Sequence, residues 1–266
     1  MGFPSILVLE TNAESPELEN LSSRFSQLRS IVFQEALSVG EQINVGIRES
    51  HGPYVFALWN DMRLSSSALS SRFFDKVREL DAACLVPNYT SADGQAVPSA
   101  MNPAAAGQAL RVVPLPPAKD GEKSLFPFDH AAIYSKERFV LSGGYDWTIT
   151  NPYWQLMDFG MRLWLWGEQI VHSRALKMAY IDAPPPMDTT PDRSYARFWL
   201  KNLAPRYEDD HAELPGCRFL PFLFNSRLGP VSSVEEFNAA KRWIRTNAYR
   251  FRSDAKRCID LWDPMS

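Results

Sequence analysis

Short apolar runs alternate with segments of helical spacing along the first third of the chain. The runs SILVLE, SIVF, YVFALW and AACLVP predict strands, and the segments SPELENLSSRFSQL, SVGEQINVGIRESHG and SSSALSSRFFDKVREL predict helices between them. The second helix carries a capping box, because Ser38 is followed three residues later by Glu41. This alternation is typical of an α/β fold with an open, mostly parallel sheet covered by helices on both faces.

Beyond the first third of the chain, the regular alternation of apolar runs and segments of helical spacing ends. Residues 87–128 are rich in Pro, Gly, Ala and Ser with little periodicity, and they predict a long connecting region that covers a site. The segment TNPYWQLMDFGMRLWLWGEQIV predicts a helix of about four turns, with Asn151 as N-cap, Pro152 in the first turn and Gly167 at its end. Near the C-terminus, VEEFNAAKRWIRTNAYRF predicts an amphipathic helix with basic residues.

Composition limits the classes of function. The chain has 266 residues, of which 45% are hydrophobic and 22% charged, as expected for a globular protein with one substantial core. A net charge of −3 without a basic block argues against nucleic acid as a partner. Three cysteines without paired spacing predict neither disulfides nor a zinc site, and no apolar stretch approaches the ~20 residues that span a bilayer. We therefore expect a cytoplasmic protein without a transmembrane segment.

Two acidic residues end predicted strands, Glu10 in LVLETN and Asp61 in ALWND. Ligands of open α/β sheets bind outside the carboxyl ends of the strands, so both side chains are expected at such a crevice. The sequence contains neither a dinucleotide fingerprint nor a phosphate-binding P-loop. Asp61 could instead hold Mg²⁺ or Mn²⁺, which prefer oxygen ligands and would neutralise a diphosphate. The alternative is that Asp61 only caps the following helix.

Asp158 and Arg162 are four residues apart in the predicted helix that starts at Asn151. One interpretation is a surface ion pair, which contributes a few tenths of a kcal/mol. The other is a pair enclosed in a cleft, and the apolar character of the rest of this helix favours it.

Three segments together resemble the family 2 inverting glycosyltransferases of the GT-A fold. The segment NVGIRESHGPYVFALWND matches an Asn-x-Gly-Ile helix followed by a strand that ends in an Asp-x-Asp-type metal motif, here Trp59-Asn60-Asp61. The acceptor signature of that family, a GGFD-like turn and an acidic helix with a later Arg, matches Gly143, Gly144, Tyr145 and Asp146, then Met157, Asp158 and Arg162.

This resemblance implies a GT-A-like domain over residues 1–180 and a mainly helical extension over residues 181–266. It implies transfer of a sugar, with inversion, from a nucleotide-sugar donor to a glycan or another hydroxyl acceptor. The implied roles are Asp158 as general base, Arg162 as the cation that keeps it ionised, Asp61 as ligand of Mn²⁺ or Mg²⁺, Glu10 and Asn44 near the nucleotide, and Gly143, Gly144, Tyr145, Asp146 and Trp154 near the acceptor.

The same residues leave alternatives open. Trp59 stands where the family has the first acid of the metal motif, and Met157 stands where it has a Glu, so the alternative is a module without turnover that acts in binding or assembly. His172 either completes a metal site or is structural. The basic C-terminal helix either packs on the sheet or lies on a membrane surface.

The resemblance also implies that a strand and helix precede the segment ILVLETN in the family. We therefore expect either an edge at the strand of residues 6–10 or a gap that is filled from elsewhere, and weak or no nucleotide-sugar binding. A second copy of the chain or the C-terminal region would cover an exposed edge.

Overall fold

The strands predicted from the apolar runs are present in the computed structural model, which describes residues 3–11, 16–65, 71–106 and 109–262. Its strands are β1 (Ile6–Glu10), β2 (Leu28–Val32), β3 (Tyr54–Ala57), β4 (Met62–Leu64), β5 (Cys84–Thr90), β6 (Ala100–Ala106), β7 (Ala109–Leu115), β8 (Ala132–Ser135), β9 (Ile170–Tyr180), β10 (Arg206–Glu208) and β11 (His211–Glu213).

The three helices predicted in the first third are also present, although residues 66–70 of the third prediction lie outside the described residues. The α-helices are α1 (Pro16–Arg24), α2 (Val39–Glu49), α3 (Ser71–Leu80), α4 (Lys136–Ser142), α5 (Pro152–Leu165), α6 (Arg193–Phe198), α7 (Phe219–Asn225), α8 (Pro230–Asn247) and α9 (Ala255–Asp260). Short 3₁₀ turns occur at Phe128–His130, Gly216–Arg218 and Ala248–Arg250, and a π-helical segment occurs at Trp199–Leu203. The capping box of Ser38 and Glu41 at the start of α2 is confirmed.

A central sheet of five strands has the order β3-β8-β5-β9-β4. The α/β class with flanking helices is confirmed, but the expected mostly parallel arrangement does not hold for this sheet. Only β5 and β9 pair in parallel, and the other three pairings are antiparallel. One reason is the connection between β5 and β8: it contains no helical crossover, which a parallel neighbour requires, so β8 runs antiparallel to β5.

Strands β1 and β2 form a separate parallel pair. Among the described strands β1 pairs with β2 alone, and the expected open edge at residues 6–10 stays a prediction. Its covering by a second copy or by the C-terminal region stays a prediction.

The predicted helix of the acceptor signature is confirmed as α5. The Asn151 side chain accepts a hydrogen bond from Trp154 N at 3.2 Å, Pro152 lies in the first turn, and Gly167 follows the helix with a φ of +87°. Most of α5 is buried, and residues 125–126 cross it at Gly160, where an added Cβ would lie 2.1 Å from the Leu125 carbonyl oxygen.

The region of residues 87–128 is more ordered than its composition predicts. Strand β5 extends to Thr90, and β6 and β7 form an antiparallel hairpin, so the expected connecting region without regular structure is wrong over these residues. The hairpin accommodates Pro103 and Pro114 because a two-stranded ribbon has free edges. Trp262 holds it to the C-terminal part through a 3.0 Å hydrogen bond from Nε1 to Asn102 Oδ1.

The part beyond residue 180 is mainly helical, with one short hairpin formed by β10 and β11. Its α6 packs on α5, and one hydrophobic core cluster contains residues from both sides of position 180, including Trp154 and Phe198. The division at residue 180 therefore crosses a continuous core. Within the described ranges, the helices are too short or too polar for any of them to traverse a lipid bilayer.

Candidate functional site

Asp61 lies in the turn between β3 and β4. Its backbone carbonyl accepts a 2.7 Å hydrogen bond from Ile181 N, which fixes this turn against the end of β9. Its side-chain atom Oδ1 is buried and has no hydrogen-bond partner within the described part of the chain. A buried carboxylate oxygen without a partner costs free energy, so this atom is suited to an external ligand.

A second carboxylate, Asp129, lies at the same end of the sheet, immediately before β8. The Tyr180 hydroxyl donates a 2.8 Å hydrogen bond to Asp129 Oδ2, and Trp59 Nε1 donates one of 2.8 Å to the Asp129 carbonyl oxygen. Asp129 and His130 have φ values of 50° and 59°, a left-handed conformation that costs free energy for residues with a side chain, although Asp and His adopt it more often than most. The surrounding contacts hold this strained backbone, which is a frequent property of functional sites.

The two carboxylates influence each other. Burial raises the pKa of Asp129 to about 6; the hydrogen bond from Tyr180 opposes this rise, and the negative charge of Asp61 adds to it. A divalent cation would relieve this repulsion and give Asp61 Oδ1 a partner. Among the described residues, no group of three or more His, Cys, Asp and Glu side chains could hold a metal ion. Two carboxylates completed by water and substrate phosphates are, however, an ordinary site for Mg²⁺.

Asp158, the predicted general base, lies in a different and fully enclosed place. Its pairing with Arg162 is confirmed, since Arg162 Nη2 lies 3.1 Å from Asp158 Oδ2 and both side chains are buried. The other oxygen, Oδ1, accepts a 2.8 Å hydrogen bond from Asn202 Nδ2 and forms an ion pair with Lys201 Nζ at 2.9 Å. Both oxygens are occupied, and the residue is 0% exposed. A general base must be free to reach the acceptor hydroxyl, and the general-base role of Asp158 stays a prediction.

Arg162 and Asn44 hold the predicted acceptor turn at residues 143–146. Arg162 donates to the carbonyl oxygens of Ser142 and Gly144, the latter at 2.7 Å, and Asn44 exchanges two 2.8 Å hydrogen bonds with the Tyr145 backbone. Gly143 and Gly144 have φ values of 87° and 69°. A side chain at Gly144 would also meet Asn44 Oδ1 at 2.3 Å. The roles of Arg162 and Asn44 are therefore structural in this geometry.

Asp146, the last residue of the predicted acceptor turn, has a side chain that is 20% exposed. Its Oδ2 lies 2.7 Å from Lys201 Nζ, and its Oδ1 accepts hydrogen bonds from Thr148 N and Oγ1. Burial raises the pKa of Asp146, but the Lys201 ammonium and these hydrogen bonds outweigh it and hold the pKa well below its ordinary value. Asp146 therefore stays ionised, and Trp147 beside it is 68% exposed.

Lys201 and Asn202 are site residues that the sequence did not reveal. Both come from the π-helical segment, whose wider turn directs the two side chains toward α5. Such segments occur often at functional sites, but no sequence pattern announces them.

The side chains of the remaining predicted residues belong neither to the pair of Asp61 and Asp129 nor to the network of Asp146 and Asp158. The Tyr145 side chain is buried and its hydroxyl lies 2.8 Å from that of Tyr134; Trp154 is buried too, with Nε1 bonded to Thr190 O. Neither ring is accessible to an acceptor. Glu10 ends β1 in the separate two-stranded sheet. His172 is buried in β9, its Nε2 lies 3.2 Å from Ser99 O, and burial lowers its pKa to about 4, so the structural interpretation fits.

In overall structure the chain is similar to solved structures of GT-A glycosyltransferases. It matches the crystal structure of GalNAc-T7 with UDP, GalNAc and Mn²⁺ with a TM-score of 0.64 and 12% identity, over 97% of this chain and 50% of that one. It matches S. aureus TarS with a TM-score of 0.53 and 10% identity, over 98% of this chain and 40% of that one. For residues 1–349 of TarS with UDP, the TM-score is 0.50 at 10% identity, over 89% and 61% of the two chains.

These likenesses show the fold, which is of the predicted GT-A type. The chain spans less than two thirds of the length of each of these structures. No protein-family model matches the sequence, and no curated protein matches it.

Proposed function

We propose that the chain is a glycosyltransferase that binds a nucleotide-sugar donor at the carboxyl end of β3, with Mn²⁺ or Mg²⁺ held between Asp61 and Asp129. The observation that carries the proposal is the buried, unpartnered Asp61 Oδ1 beside the Asp129 carboxylate. The GT-A fold supports the donor class, and the solved structures of that fold include ones with UDP and with Mn²⁺.

The cation would neutralise the diphosphate as it departs from the sugar. The residues of this chain provide the support for that site. Asp61 offers a buried oxygen, while Tyr180 and Trp59 fix the side chain and the backbone of Asp129 through their hydrogen bonds. These hydrogen bonds, with that from Ile181 N to the Asp61 carbonyl oxygen, hold the two residues in place before a ligand arrives, which lowers the cost of binding.

The acceptor is a glycan or another hydroxyl compound in this proposal. Asp146 has an accessible, ionised carboxylate, and Trp147 offers an exposed ring on which a sugar could pack. Tyr145 and Trp154, which the sequence placed at the acceptor, serve instead to build the core beneath this surface.

The resemblance to inverting enzymes assigns the general base to Asp158. Its carboxylate is enclosed by Arg162, Lys201 and Asn202, so we assign it a positioning role that joins α5 to the π-helical segment. The proposed reaction is the transfer of the sugar from the donor to an acceptor hydroxyl.

A second function is favoured by two observations, the Trp at position 59 and the burial of Asp158. It is a GT-A-like module that binds the nucleotide sugar without turnover and acts in binding or assembly.

Turnover distinguishes the two functions. Phosphorus NMR of the protein with UDP-sugars, Mn²⁺ and a panel of glycans should show release of UDP that requires both Asp61 and Asp129. Release by wild type and its loss in Asp61→Asn and Asp129→Asn would support the transferase. Binding of UDP-sugars without release would support the second function, and the absence of binding would overturn both.

A further inference from the structure

The backbone of residues 129–131, which carries the Asp129 carboxylate, is held by aromatic side chains. Each of its three successive carbonyl oxygens accepts a hydrogen bond from one such side chain. The bonds run from Trp59 Nε1 to Asp129 O at 2.8 Å, from the Tyr134 hydroxyl to His130 O at 2.6 Å, and from the Tyr89 hydroxyl to Ala131 O. Asp129 and His130 are the two left-handed residues, and their conformation persists only where the surroundings hold it. These donors therefore fix the backbone from which the Asp129 carboxylate projects.

The Tyr134 hydroxyl makes a second contact, since it lies 2.8 Å from the hydroxyl of Tyr145. A carbonyl oxygen can only accept, so Tyr134 gives its single hydroxyl proton to His130 O. The Tyr145 hydroxyl therefore donates to that of Tyr134. Burial raises the pKa of both phenols, so both keep the protons that they donate. We call Tyr134 and Tyr145 the tyrosine pair.

The tyrosine pair joins the two sides of the proposed site. His130 directly follows Asp129, and Tyr145 directly precedes Asp146 in the acceptor turn. The rings of His130 and Tyr145 are also neighbours, with centroids 5.1 Å apart. Hydrogen bonds in series strengthen one another in a low-dielectric interior. The pair thus connects the backbone beside the cation site to the acceptor turn through two successive hydrogen bonds.

We propose that Tyr134 is a positioning residue of the donor site, whose hydroxyl holds Asp129 in the geometry that binds the cation and links that geometry to the acceptor turn. This inference rests on the proposed function, because that function assigns the cation to Asp61 and Asp129. Without the hydroxyl, the His130 carbonyl oxygen loses its partner and the left-handed backbone relaxes. The two carboxylates must then be brought together when the cation binds, which weakens binding.

Tyr134→Phe tests this role, because it removes the hydroxyl and keeps the ring. The ring packs on Phe139 and Phe159, with centroids 5.4 and 6.2 Å away, and these contacts remain in the variant. Calorimetric titration of UDP with and without Mn²⁺ measures the gain in affinity that the cation provides. Tyr134→Phe should reduce this gain about three- to tenfold, the effect of about one hydrogen bond, and its affinity for UDP alone should stay close to that of wild type.

Tyr145→Phe is a second test, because it removes the outer hydroxyl of the tyrosine pair and leaves the bond from Tyr134 to His130. It should reduce the Mn²⁺-dependent gain less, by about twofold. Ser233→Ala is the matched control, since Ser233 is buried in α8 and its hydroxyl lies 3.1 Å from that of Ser226. It also removes a buried hydroxyl, and it should keep the whole gain. Urea unfolding of each variant shows that it is folded under the conditions of the titration.

The possible results separate the positioning role from the proposed function. A folded Tyr134→Phe variant that is less stable than wild type but keeps the full Mn²⁺-dependent gain would overturn the positioning role and leave the cation site in place. If Tyr134→Phe does not fold, Tyr145→Phe decides, and a gain equal to that of Ser233→Ala would overturn the inference. Absence of any Mn²⁺-dependent gain in wild type would overturn the proposed function itself, and the inference with it.

Discussion

Lys201 Nζ lies 2.9 Å from Asp158 Oδ1 and 2.7 Å from Asp146 Oδ2, so a single ammonium group bridges two carboxylates that the sequence assigned to base and acceptor roles. Together with Arg162, these residues form a network of two carboxylates and two cations, in which only the Asp146 side chain is appreciably exposed. The network fixes the end of the acceptor turn, α5 and the π-helical segment relative to one another.

The network predicts that Asp158→Asn acts on stability. The substitution keeps the shape of the side chain but leaves Arg162 without its buried partner charge and leaves Lys201 with Asp146 alone. Removing one partner of a buried ion pair costs about 3–5 kcal/mol in the free energy of unfolding. Urea unfolding followed by circular dichroism measures this change.

Asp75→Asn is the control for the same chemical change on the surface. Asp75 pairs with Arg78, and their side chains are 60% and 65% exposed. Exposed pairs contribute less than about 1 kcal/mol, so this variant should unfold close to wild type. If Asp158→Asn proved as stable as wild type while turnover fell a hundredfold or more, that result would support Asp158 as the general base and contradict the positioning role.

Gly160→Ala should destabilise α5 although alanine is the better helix former. The added Cβ would lie 2.1 Å from the Leu125 carbonyl oxygen and 2.7 Å from Phe126 Cβ, so the crossing segment must move. Overpacking of this kind costs about 1–3 kcal/mol, against a gain of up to about 1 kcal/mol from helix propensity. Gly216→Ala is the control, because nothing lies within 4 Å of its added Cβ. A Gly160→Ala variant more stable than wild type in urea would contradict this packing.

Asp129 should make stability depend on pH in a direction opposite to most acids. Burial raises its pKa from 3.8 to about 6, so the folded chain holds the proton more tightly than the unfolded chain. Its contribution is therefore fully present below about pH 4 and is lost as the pH rises to about 6. Burial lowers the pKa of His130 to about 3 and of His172 to about 4, and these groups change stability in the opposite sense.

The comparison of wild type with Asp129→Asn removes the histidine contributions. The variant should gain about 2 kcal/mol relative to wild type between about pH 4 and pH 7, as measured by urea unfolding at each pH. A difference that stays constant with pH would show that Asp129 titrates normally.

Capping residues in the sequence were sufficient to predict where the helices that carry them begin or end. Asn151, Pro152 and Gly167 predicted the limits of α5, and Ser38 with Glu41 predicted the start of α2, because caps act within one turn of the chain. The pairing of Asp158 with Arg162 was also predictable, because residues four apart in a helix lie on the same face. Strand direction was not predictable, because periodicity shows that a segment is a strand but carries no information on which way it runs in the sheet.

The candidate site required contacts between distant parts of the chain. Asp129 approaches Asp61 only because β8 and β9 return beside β3 and β4, and the segment FPFDH carries no motif that marks it. Lys201 and Asn202 reach Asp158 over more than forty positions through a π-helical segment. The acceptor roles of Tyr145 and Trp154 could not be judged from sequence, because the sequence does not show whether an aromatic side chain lies in the core or in a binding site.

The measurement that tests the central claim most directly is calorimetric titration of UDP into the protein with and without Mn²⁺, for wild type, Asp61→Asn and Asp129→Asn. If the two carboxylates hold the cation at the diphosphate, Mn²⁺ should raise the affinity of wild type for UDP by about tenfold or more, and each variant should lose this dependence while it stays folded. Asp75→Asn should keep it. A dependence on Mn²⁺ that is the same in wild type and in both variants would contradict the assignment of the site.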